Sequence, residues 1–402
     1  MASLSLDHAR GLDSAALDAL VDALGEGAIS FDARREALAR FAALPPPDVP
    51  PGRYWKIDLT KQEYEDVVVQ LDAAAVASSS KYVYDLAAVL REGDPDLRAV
   101  FDREFRGTLD PAHDKYAALT VAFQNCGAFV YVPAGTKLIE PIEFTYTARN
   151  AIFPYTLVVT GEGAECTVIE RILLEGDAPF VCGVAEVVVA PRARVEISSV
   201  VEPGSGRIFT TRRSKVDRDA RVGWSIADLG GDLVVDSLHV RLEERGALGE
   251  IGGLFFADGT QHVALETQID HIIGETDSQT IVKGAATGHG QGRYVGNIRI
   301  HPHAHKSDAS LRDDSLLLSK SAHIDSIPAL EIAANDVKAF HGATVGAIDE
   351  DEIFYAQSRG IARSDAERMI ALGFFEPAIT QFPHALRNHI RAALERKLPV
   401  NP

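Results

Sequence analysis

The chain has 402 residues, a formal net charge of −18 and three cysteines. This length is sufficient to bury a large hydrophobic core. The negative charge argues against nucleic acid or an anionic membrane as a partner, because both repel an acidic surface. The sequence has no run of about 18 apolar residues, so we expect no transmembrane helix. It also lacks a basic-then-apolar leader pattern, so we expect a cytoplasmic protein.

The three cysteines, Cys126, Cys166 and Cys182, are widely spaced and form no CxxC pair. This usage is typical of reduced thiols in the cytosol. Buried cysteine usually behaves as a small hydrophobe, so we interpret these residues as structural, with transient iron ligation as the alternative. A protein that holds its own iron–sulfur cluster usually carries four spaced thiolates. We therefore expect that the chain alone binds no cofactor stably.

Residues 1–115 predict an N-terminal helical region with a proline-rich linker. The segment from Ser14 to Leu44 repeats apolar residues at helical spacing, and residues 86–110 are again helical in pattern. The linker that interrupts them contains Pro45, Pro46, Pro47, Pro50 and Pro51.

Residues 116–349 predict a β-rich core built from a repeat. Four similar turns each place an alanine between polar and apolar residues, at Ala164, Ala193, Ala220 and Ala247. The spacing of these alanines is 29, 27 and 27 residues. Lys320–Ile324 and Asn335–Val337 keep the same form without that spacing. A period near 27 with small residues at corners favours a parallel β-helix, with an antiparallel sandwich as the alternative.

Residues 350–402 predict a C-terminal helical region. Ser364 followed by Glu367 is a capping-box pattern that predicts the start of one helix, and Gly373 predicts its end. Residues 383–397 predict a last, basic amphipathic helix.

The segment just before these helices predicts a strand that carries one histidine. Small or apolar residues alternate there with other residues, and His341 is the only ionisable residue on the apolar side. Period-two alternation of this kind indicates a strand with that side buried. A buried imidazole needs a hydrogen-bond partner or a metal. From the residues alone, His341 is equally well explained as a core histidine with a hydrogen-bond partner or as a functional histidine.

A second group of histidines, His301, His303 and His305, forms the motif HPHAH. In a strand these side chains would share one face, with neighbours roughly 6.5–7 Å apart, so that one pair could chelate a divalent ion. An exposed polar strand explains the motif equally well. A metal-binding protein that uses HPHAH is thus one alternative function.

A β-helix carbohydrate-active enzyme is a further alternative, because catalysis on this fold uses carboxylates and arginines in a groove. No paired acids or clustered aromatic platforms at strand spacing favour it. The glycine-rich segment 288–292 lacks the Lys-Ser/Thr of a phosphate loop, so the sequence predicts no ATPase machinery.

The stretch from Pro328 to Ile361 resembles the C-terminal signature of the SufB/SufD family, the scaffold subunits of the SUF iron–sulfur cluster assembly system. The matching residues are Pro328, Leu330–Ile332, Asn335–Lys338, His341–Gly346, Phe354–Tyr355 and Ser358–Ile361. The resemblance implies a right-handed parallel β-helix between N- and C-terminal helical regions. It also implies a scaffold and not an enzyme.

Within this family the chain resembles the SufD-like members. SufB-like members carry a cysteine just before an Asp-Ser pair, often a second cysteine in the next turn, and a glutamate after the signature histidine. Here these positions hold Asp313, Ala322 and Gly342. The histidine itself remains as His341, which the resemblance implies is a ligand of a metal site shared with the partner.

The resemblance further implies two partners, a SufB-like paralogue and a SufC-like ABC ATPase, with a nascent iron–sulfur cluster present only in the complex. The C-terminal helices are implied to bind the ATPase. We predict a protein interface at Leu316, Leu317, Ala322, Pro328, His341 and Gly342. Leu316–Leu318 contains no proline or charge that would protect an edge strand, so an isolated chain could also pair with itself as a homodimer.

Overall fold

The computed structural model describes residues 10–24, 29–45, 59, 62–73, 75–77, 80–86, 88–89, 94–109 and 114–398. The predicted proline-rich linker lies outside the described residues, except for Pro45. The domain boundaries near residues 115 and 349 stay a prediction.

Two long sheets form the centre of the molecule, and the chain alternates between them. Sheet 1 has nine strands, in the spatial order β1 (Ala75–Ala77), β4 (Ile142–Ala148), β7 (Glu165–Leu174), β9 (Arg194–Val201), β11 (Arg221–Asp228), β13 (Leu248–Ala257), β15 (Asp277–Ala286), β17 (Asp308–Leu317) and β19 (Lys338–Gly346). Sheet 2 has ten, in the order β18 (His323–Ile332), β16 (Gln291–Ile300), β14 (His262–His271), β12 (Leu233–Leu242), β10 (Arg207–Val216), β8 (Phe180–Val189), β6 (Pro154–Thr160), β3 (Cys126–Val132) and β2 (Val83–Asp85), with β5 (Ala151–Ile152) beside β8.

From β3 and β4 onwards the paired strands of each sheet are parallel. Each coil contributes one strand to each sheet, and about 8 coils stack into a parallel β-solenoid. The predicted β-helix is therefore confirmed and the antiparallel sandwich is wrong. The right-handed winding stays a prediction.

The interior of the solenoid is a continuous apolar core, filled from both sheets by alternate residues such as Val222, Trp224 and Ile226 of β11. Because one coil buries its inner face only against its neighbours, the core depends on stacking. The interior also holds one fully buried ion pair between Arg212 and Asp236.

The repeated alanines mark the same corner of four successive coils. All four alanines are buried, namely Ala164, Ala193, Ala220 and Ala247. The residue before each of them has a positive φ, between 53° and 75°. The series continues beyond the point where the sequence repeat disappears, with Thr276 and Ser307 in the place of alanine. Their hydroxyl groups bond to each other at 3.0 Å, which compensates for burying them.

The two later members of the repeat belong to different corners. Asn335–Val337 leads into β19 and so occupies the alanine corner. Lys320–Ile324 instead connects β17 to β18 on the opposite side of the coil. Its inclusion in the repeat is wrong, because small residues suit both corners.

Seven helices flank the solenoid in the described part of the chain. They are α1 (Ser14–Leu24), α2 (Phe31–Ala43), α3 (Pro95–Glu104), α4 (Lys115–Phe123), α5 (Glu350–Ser358), α6 (Arg363–Ile379) and α7 (His384–Lys397). The N-terminal helices pack on the outer face of sheet 2, where Phe209 and Val235 lie. The helices α6 and α7 pack on the outer face of sheet 1, where Phe375 and Ile390 contact the cluster around Leu254.

Two helix boundaries differ from the predictions. Ser364 lies inside α6, whose N-cap is Ala362 without a side-chain cap bond, and Gly373 lies within the same helix. Packing of Phe375 and Ile379 on sheet 1 extends this helix beyond the glycine. The predicted last helix is confirmed as α7. No described helix is long and apolar enough to cross a membrane.

Candidate functional site

His341 lies at the C-terminal end of the solenoid, called here the open end, which consists of β18 and β19. Strand β19 is the last of sheet 1 and pairs only with β17 among the described strands. In this pairing His341 lies beside Leu311, a core residue, and Ala343 lies beside Asp313. His341 therefore belongs to the inward-facing side of the coil.

The predicted strand is confirmed, but the prediction that its whole apolar side is buried is wrong. Val337 and Ala339 are partly buried against the core, whereas His341, Ala343 and Val345 are exposed. No further coil stacks on β19 in the described chain, so the inward side of this strand faces solvent. The histidine thus has an accessible imidazole instead of a buried one.

Large apolar side chains surround this end. Seven are exposed in the described part of the chain, and six of these lie beyond residue 331, namely Ile332, Phe340, Val345, Phe354, Tyr355 and Met369. The seventh, Ile139, lies in the turn between β3 and β4. Such a concentration of exposed apolar side chains at one end is typical of interaction surfaces. Ile332 belongs to the matching residues of the signature and Phe340 lies within the same stretch, but neither is among the predicted interface residues.

The predicted edge at Leu316–Leu318 is wrong. Strand β17 is paired on both sides, with β15 and β19. Leu317 packs against the interior, while Leu316 and Leu318 pack with the C-terminal helices. The strands that end the two sheets on this side of the molecule are β18 and β19, and each has one neighbour in the described structure.

The other predicted interface residues lie near these two strands. Ala322 is buried in the corner before β18, and Pro328 is half-buried within β18. Gly342 lies on β19 beside Arg312, close to His341. The structure thus brings Pro328, His341 and Gly342 to the open end, and leaves Leu316, Leu317 and Ala322 beneath it.

Asp313 is a fully buried carboxyl group in the last complete coil. The Ser326 hydroxyl donates to its Oδ2 across the interior, and the Ser315 hydroxyl lies 3.5 Å from its Oδ1. Burial raises the pKa of Asp313 to about 7, and the nearby Asp314 also raises it. This carboxyl can therefore exist with or without its proton near neutral pH.

The adjacent Asp314 faces outward and is strongly paired. Its Oδ2 accepts from Lys283 at 2.7 Å and from Arg312 at 2.9 Å, and its Oδ1 accepts from Thr344 at 2.7 Å. Burial alone would raise the pKa of Asp314, but these hydrogen bonds hold it below its usual value. The bond to Thr344 fastens β19 to the coil beneath it.

The three cysteines support the structural interpretation. Cys126, Cys166 and Cys182 are free and buried. Burial raises the pKa of Cys166 to about 12 and raises that of the other two thiols as well. Protonated, inaccessible thiols are poor metal ligands.

The HPHAH motif is not in a strand. Strand β16 ends at Ile300, and the motif forms two consecutive turns before β17. His301 Nε2 lies 3.9 Å from Asp270, while His303 and His305 are exposed. Among the described residues no group of three or more His, Cys, Asp or Glu side chains is placed to hold a metal ion. The predicted shared strand face is therefore wrong.

The fold is a parallel β-solenoid whose C-terminal end is open and carries an exposed histidine. Comparison with known families agrees. Residues 144–374 match the model described as "SUF system FeS cluster assembly, SufBD core domain". This match covers more than half of the chain, and the protein belongs to the SufBD family of iron–sulfur cluster assembly proteins.

Individual relatives are distant. The chain is 27% identical over 293 residues to the iron–sulfur cluster assembly protein SufD of Bacillus subtilis, covering 71% of this chain and 67% of that protein. It is 28% identical over 324 residues to the SufBD family protein Rv1462 of Mycobacterium tuberculosis, covering 77% and 79%. It is also 28% identical over 264 residues to the SufBD family protein ML0593 of Mycobacterium leprae, covering 64% of this chain but only 30% of that protein.

Proposed function

We propose that this chain is the SufD-like scaffold subunit of a SUF complex, without catalytic activity of its own. It pairs with a SufB-like paralogue through the open end, and His341 serves a site shared between the two chains. The observation that carries this proposal is that Ile332, Phe340 and Val345 are exposed on the last two strands, where His341 is accessible.

The donor atoms near His341 support a shared site over a self-sufficient one. The nearby positions offer the oxygens of Asp313 and Ser326, and the described cysteines are buried elsewhere in the molecule. Soft thiolate ligands for an iron–sulfur cluster would therefore come from the partner. The free thiols of this chain suit a reducing compartment such as the cytoplasm.

Pairing through the open end is tested by co-purification with a SufB-like paralogue. Phe340→Asp places a charge on a side chain that is 61% exposed on β19, and we expect it to abolish capture of the paralogue. The matched control is Ile139→Asp, because Ile139 is 93% exposed but lies at the other end of the solenoid. Equal capture by both variants would contradict the proposed interface.

Without the paralogue, the same edges can pair with a second copy of the chain, and this homodimer is part of the proposal. Light scattering on the isolated protein would then give the mass of a dimer, which Phe340→Asp reduces to that of a monomer. A dimer unaffected by this change would move the contact to another surface.

We further propose that a SufC-like ATPase binds the helices α5 and α6. Phe354, Tyr355 and Met369 are exposed there, beside a groove of about 860 Å³ lined by Tyr355, Met369 and Phe374. Helices α6 and α7 are packed against sheet 1, so they form a rigid attachment for a motor protein.

Surface substitution tests this contact better than deletion, because removing α6 and α7 would uncover the apolar outer face of sheet 1. We expect the double change Phe354→Asp and Tyr355→Asp to abolish binding of the ATPase while capture of the SufB-like paralogue persists. Ile139→Asp again serves as the control. ATPase binding that survives the double change would exclude this surface.

A further inference from the structure

A polar cleft lies between the outer face of sheet 1 and the connection from α6 to α7. Its volume is about 260 Å³. Pockets for drug-sized ligands measure roughly 300–1,000 Å³, so this cleft suits a smaller molecule. Its sheet side belongs to strands β7 to β13, in the middle of the solenoid and away from the open end. Four charged side chains line it, namely Glu196, Arg221, Glu250 and Arg387.

The sheet side of the cleft carries two carboxyl groups on either side of a glycine. Glu196, Gly223 and Glu250 are register partners on the neighbouring strands β9, β11 and β13. The carboxyl group of Glu196 lies over Gly223, where a Cβ atom would overlap its Oε2. The missing side chain at Gly223 therefore makes the space in which the Glu196 carboxyl group sits.

One arginine serves both of these carboxyl groups. Arg221 Nη2 lies 3.4 Å from Glu196 Oε1 and 2.5 Å from Glu250 Oε2. The side chains that line the sheet side thus carry one more negative charge than positive charge. Burial raises the pKa of Glu196, and the nearby Glu250 raises it further, although Arg221 acts in the opposite direction. A second cation beside Glu196 and Glu250 would compensate this charge.

The helix side of the cleft carries the opposite charge. Arg387 donates from Nε to the carbonyl oxygen of Phe382 and from Nη2 to that of Thr380, both at 2.8 Å. In the described part of the chain its guanidinium forms no ion pair with a carboxylate. The Ser225 hydroxyl donates to the Gln381 carbonyl oxygen at 2.8 Å and holds this connection against the sheet. Neutral carbonyl groups therefore orient the Arg387 guanidinium without neutralising it.

We propose that this cleft binds a free α-amino acid. The ammonium group bonds to Glu196 and Glu250, and the carboxylate bonds to Arg387, so that every contact is a charge-assisted hydrogen bond. A ligand with only a positive charge would leave Arg387 without a partner, and a ligand with only a negative charge would face two carboxyl groups. The inference is independent of the proposed function, because the cleft and the open end lie on different strands.

The test begins with thermal unfolding of the full-length chain in the presence of each common amino acid in turn. A ligand of the folded state raises the melting temperature, and we expect at least one amino acid to do so. Calorimetry with the amino acid that gives the largest shift should show one molecule per chain. Failure of every amino acid to raise the melting temperature would overturn the proposal.

Blocked derivatives of the same amino acid test the two charges separately. Its amide lacks the carboxylate and its N-acetyl form lacks the ammonium group. Each should bind at least about tenfold more weakly, since a hydrogen bond to a charged group is worth about 1.5–3 kcal/mol. Binding of either derivative as tight as that of the free amino acid would contradict recognition of a zwitterion.

Substitutions then assign the binding to this cleft. Gly223→Ala keeps every charge but fills the space of the Glu196 carboxyl group, so we expect a loss of affinity of at least about tenfold. Glu250→Gln and Arg387→Gln should each cause a similar loss. Glu165→Gln is the matched control, because Glu165 lies on the same face of sheet 1 but outside the cleft, paired with Lys137. Unchanged affinity in Gly223→Ala and Glu250→Gln would place the ligand elsewhere and overturn the proposal.

Discussion

The two ends of the solenoid differ in how their outermost strands are covered. At the N-terminal end, β1 and β2 pair in the antiparallel sense with β4 and β3, and Tyr82 and Val83 pack on the core. At the C-terminal end, β18 and β19 have no further neighbour in the described chain, and Phe340 is exposed. Antiparallel strands of 3 residues end the parallel stack at one end. At the other end, parallel strands of 10 and 9 residues present a much longer edge.

The proposed function assigns stability to the N-terminal end and binding to the C-terminal end. A long uncovered edge is a liability for a protein that acts alone. Its retention, together with exposed apolar side chains, is consistent with a partner that covers it. The comparison can be tested by changing equivalent side chains at the two ends.

The largest effect is expected from removing matched aromatic rings. Phe144 in β4 is 1% exposed within the interior core, and Phe144→Ala should lower the free energy of unfolding by about 3–5 kcal/mol. Phe340→Ala at the open end should change it by less than about 0.5 kcal/mol, because the ring already faces solvent. Urea unfolding followed by circular dichroism measures both.

If both changes lowered the free energy of unfolding equally, Phe340 would be as tightly packed as Phe144. This result would contradict the stated difference between the two ends. The Phe340→Ala protein should nevertheless bind the SufB-like paralogue less tightly. This single change would then weaken binding without lowering the free energy of unfolding.

A smaller effect concerns pH near the open end. His271 is buried and bonded to Thr276 and Ser278, both at 2.8 Å, and burial lowers its pKa to about 4. The folded state disfavours the protonated ring. The contribution of His271 to the free energy of unfolding is therefore fully present above the ordinary histidine pKa of about 6.5, and it is lost as pH falls toward 4. The loss should be about 3 kcal/mol.

Hydrogen exchange measured by mass spectrometry locates this effect. Between pH 6.5 and 4, we expect β15 and β17 to lose protection before β4 and β6, since Thr276 and Ser278 lead into β15. His271→Gln should flatten the pH dependence of stability. An unchanged profile in that variant would assign the acid sensitivity to other groups.

The smallest effect is expected at the surface of β19. Lys338 lies 3.7 Å from Asp308, and both side chains are largely exposed. Lys338→Ala should change the free energy of unfolding by no more than about 0.5 kcal/mol, because solvent screens such pairs. A larger loss in urea unfolding would show that β19 depends on this pair for its attachment.

The sequence repeat was sufficient to predict the solenoid, because the corner alanines must be small and buried and so recur visibly. It failed where Thr276 and Ser307 replace alanine, since a hydroxyl group is tolerated at a corner only when a partner is present, as in their mutual hydrogen bond. The lost repeat also explains the error at HPHAH, which lies in the turns before Ser307 and not in a strand.

The strand of His341 was predicted from its alternation, but its exposure was not. Alternation reports which side of a strand faces inward, and only the number of stacked coils decides whether that side is covered. For the same reason Leu316–Leu318 was mistaken for an edge, although the apolar residues there serve the interior and the C-terminal helices. The hydrogen bond to the buried Asp313 comes from Ser326, which lies across the interior and leaves no local sequence signal.

The direction of the chain through the coils has a consequence for protein synthesis. The covered end is made first, so each new coil leaving the ribosome can dock on a completed one. The free edges of β18 and β19 appear only after nearly all of the solenoid exists. Throughout synthesis the most recent coil exposes its edges until the next coil covers them, whereas the edges of β18 and β19 stay uncovered in the described chain.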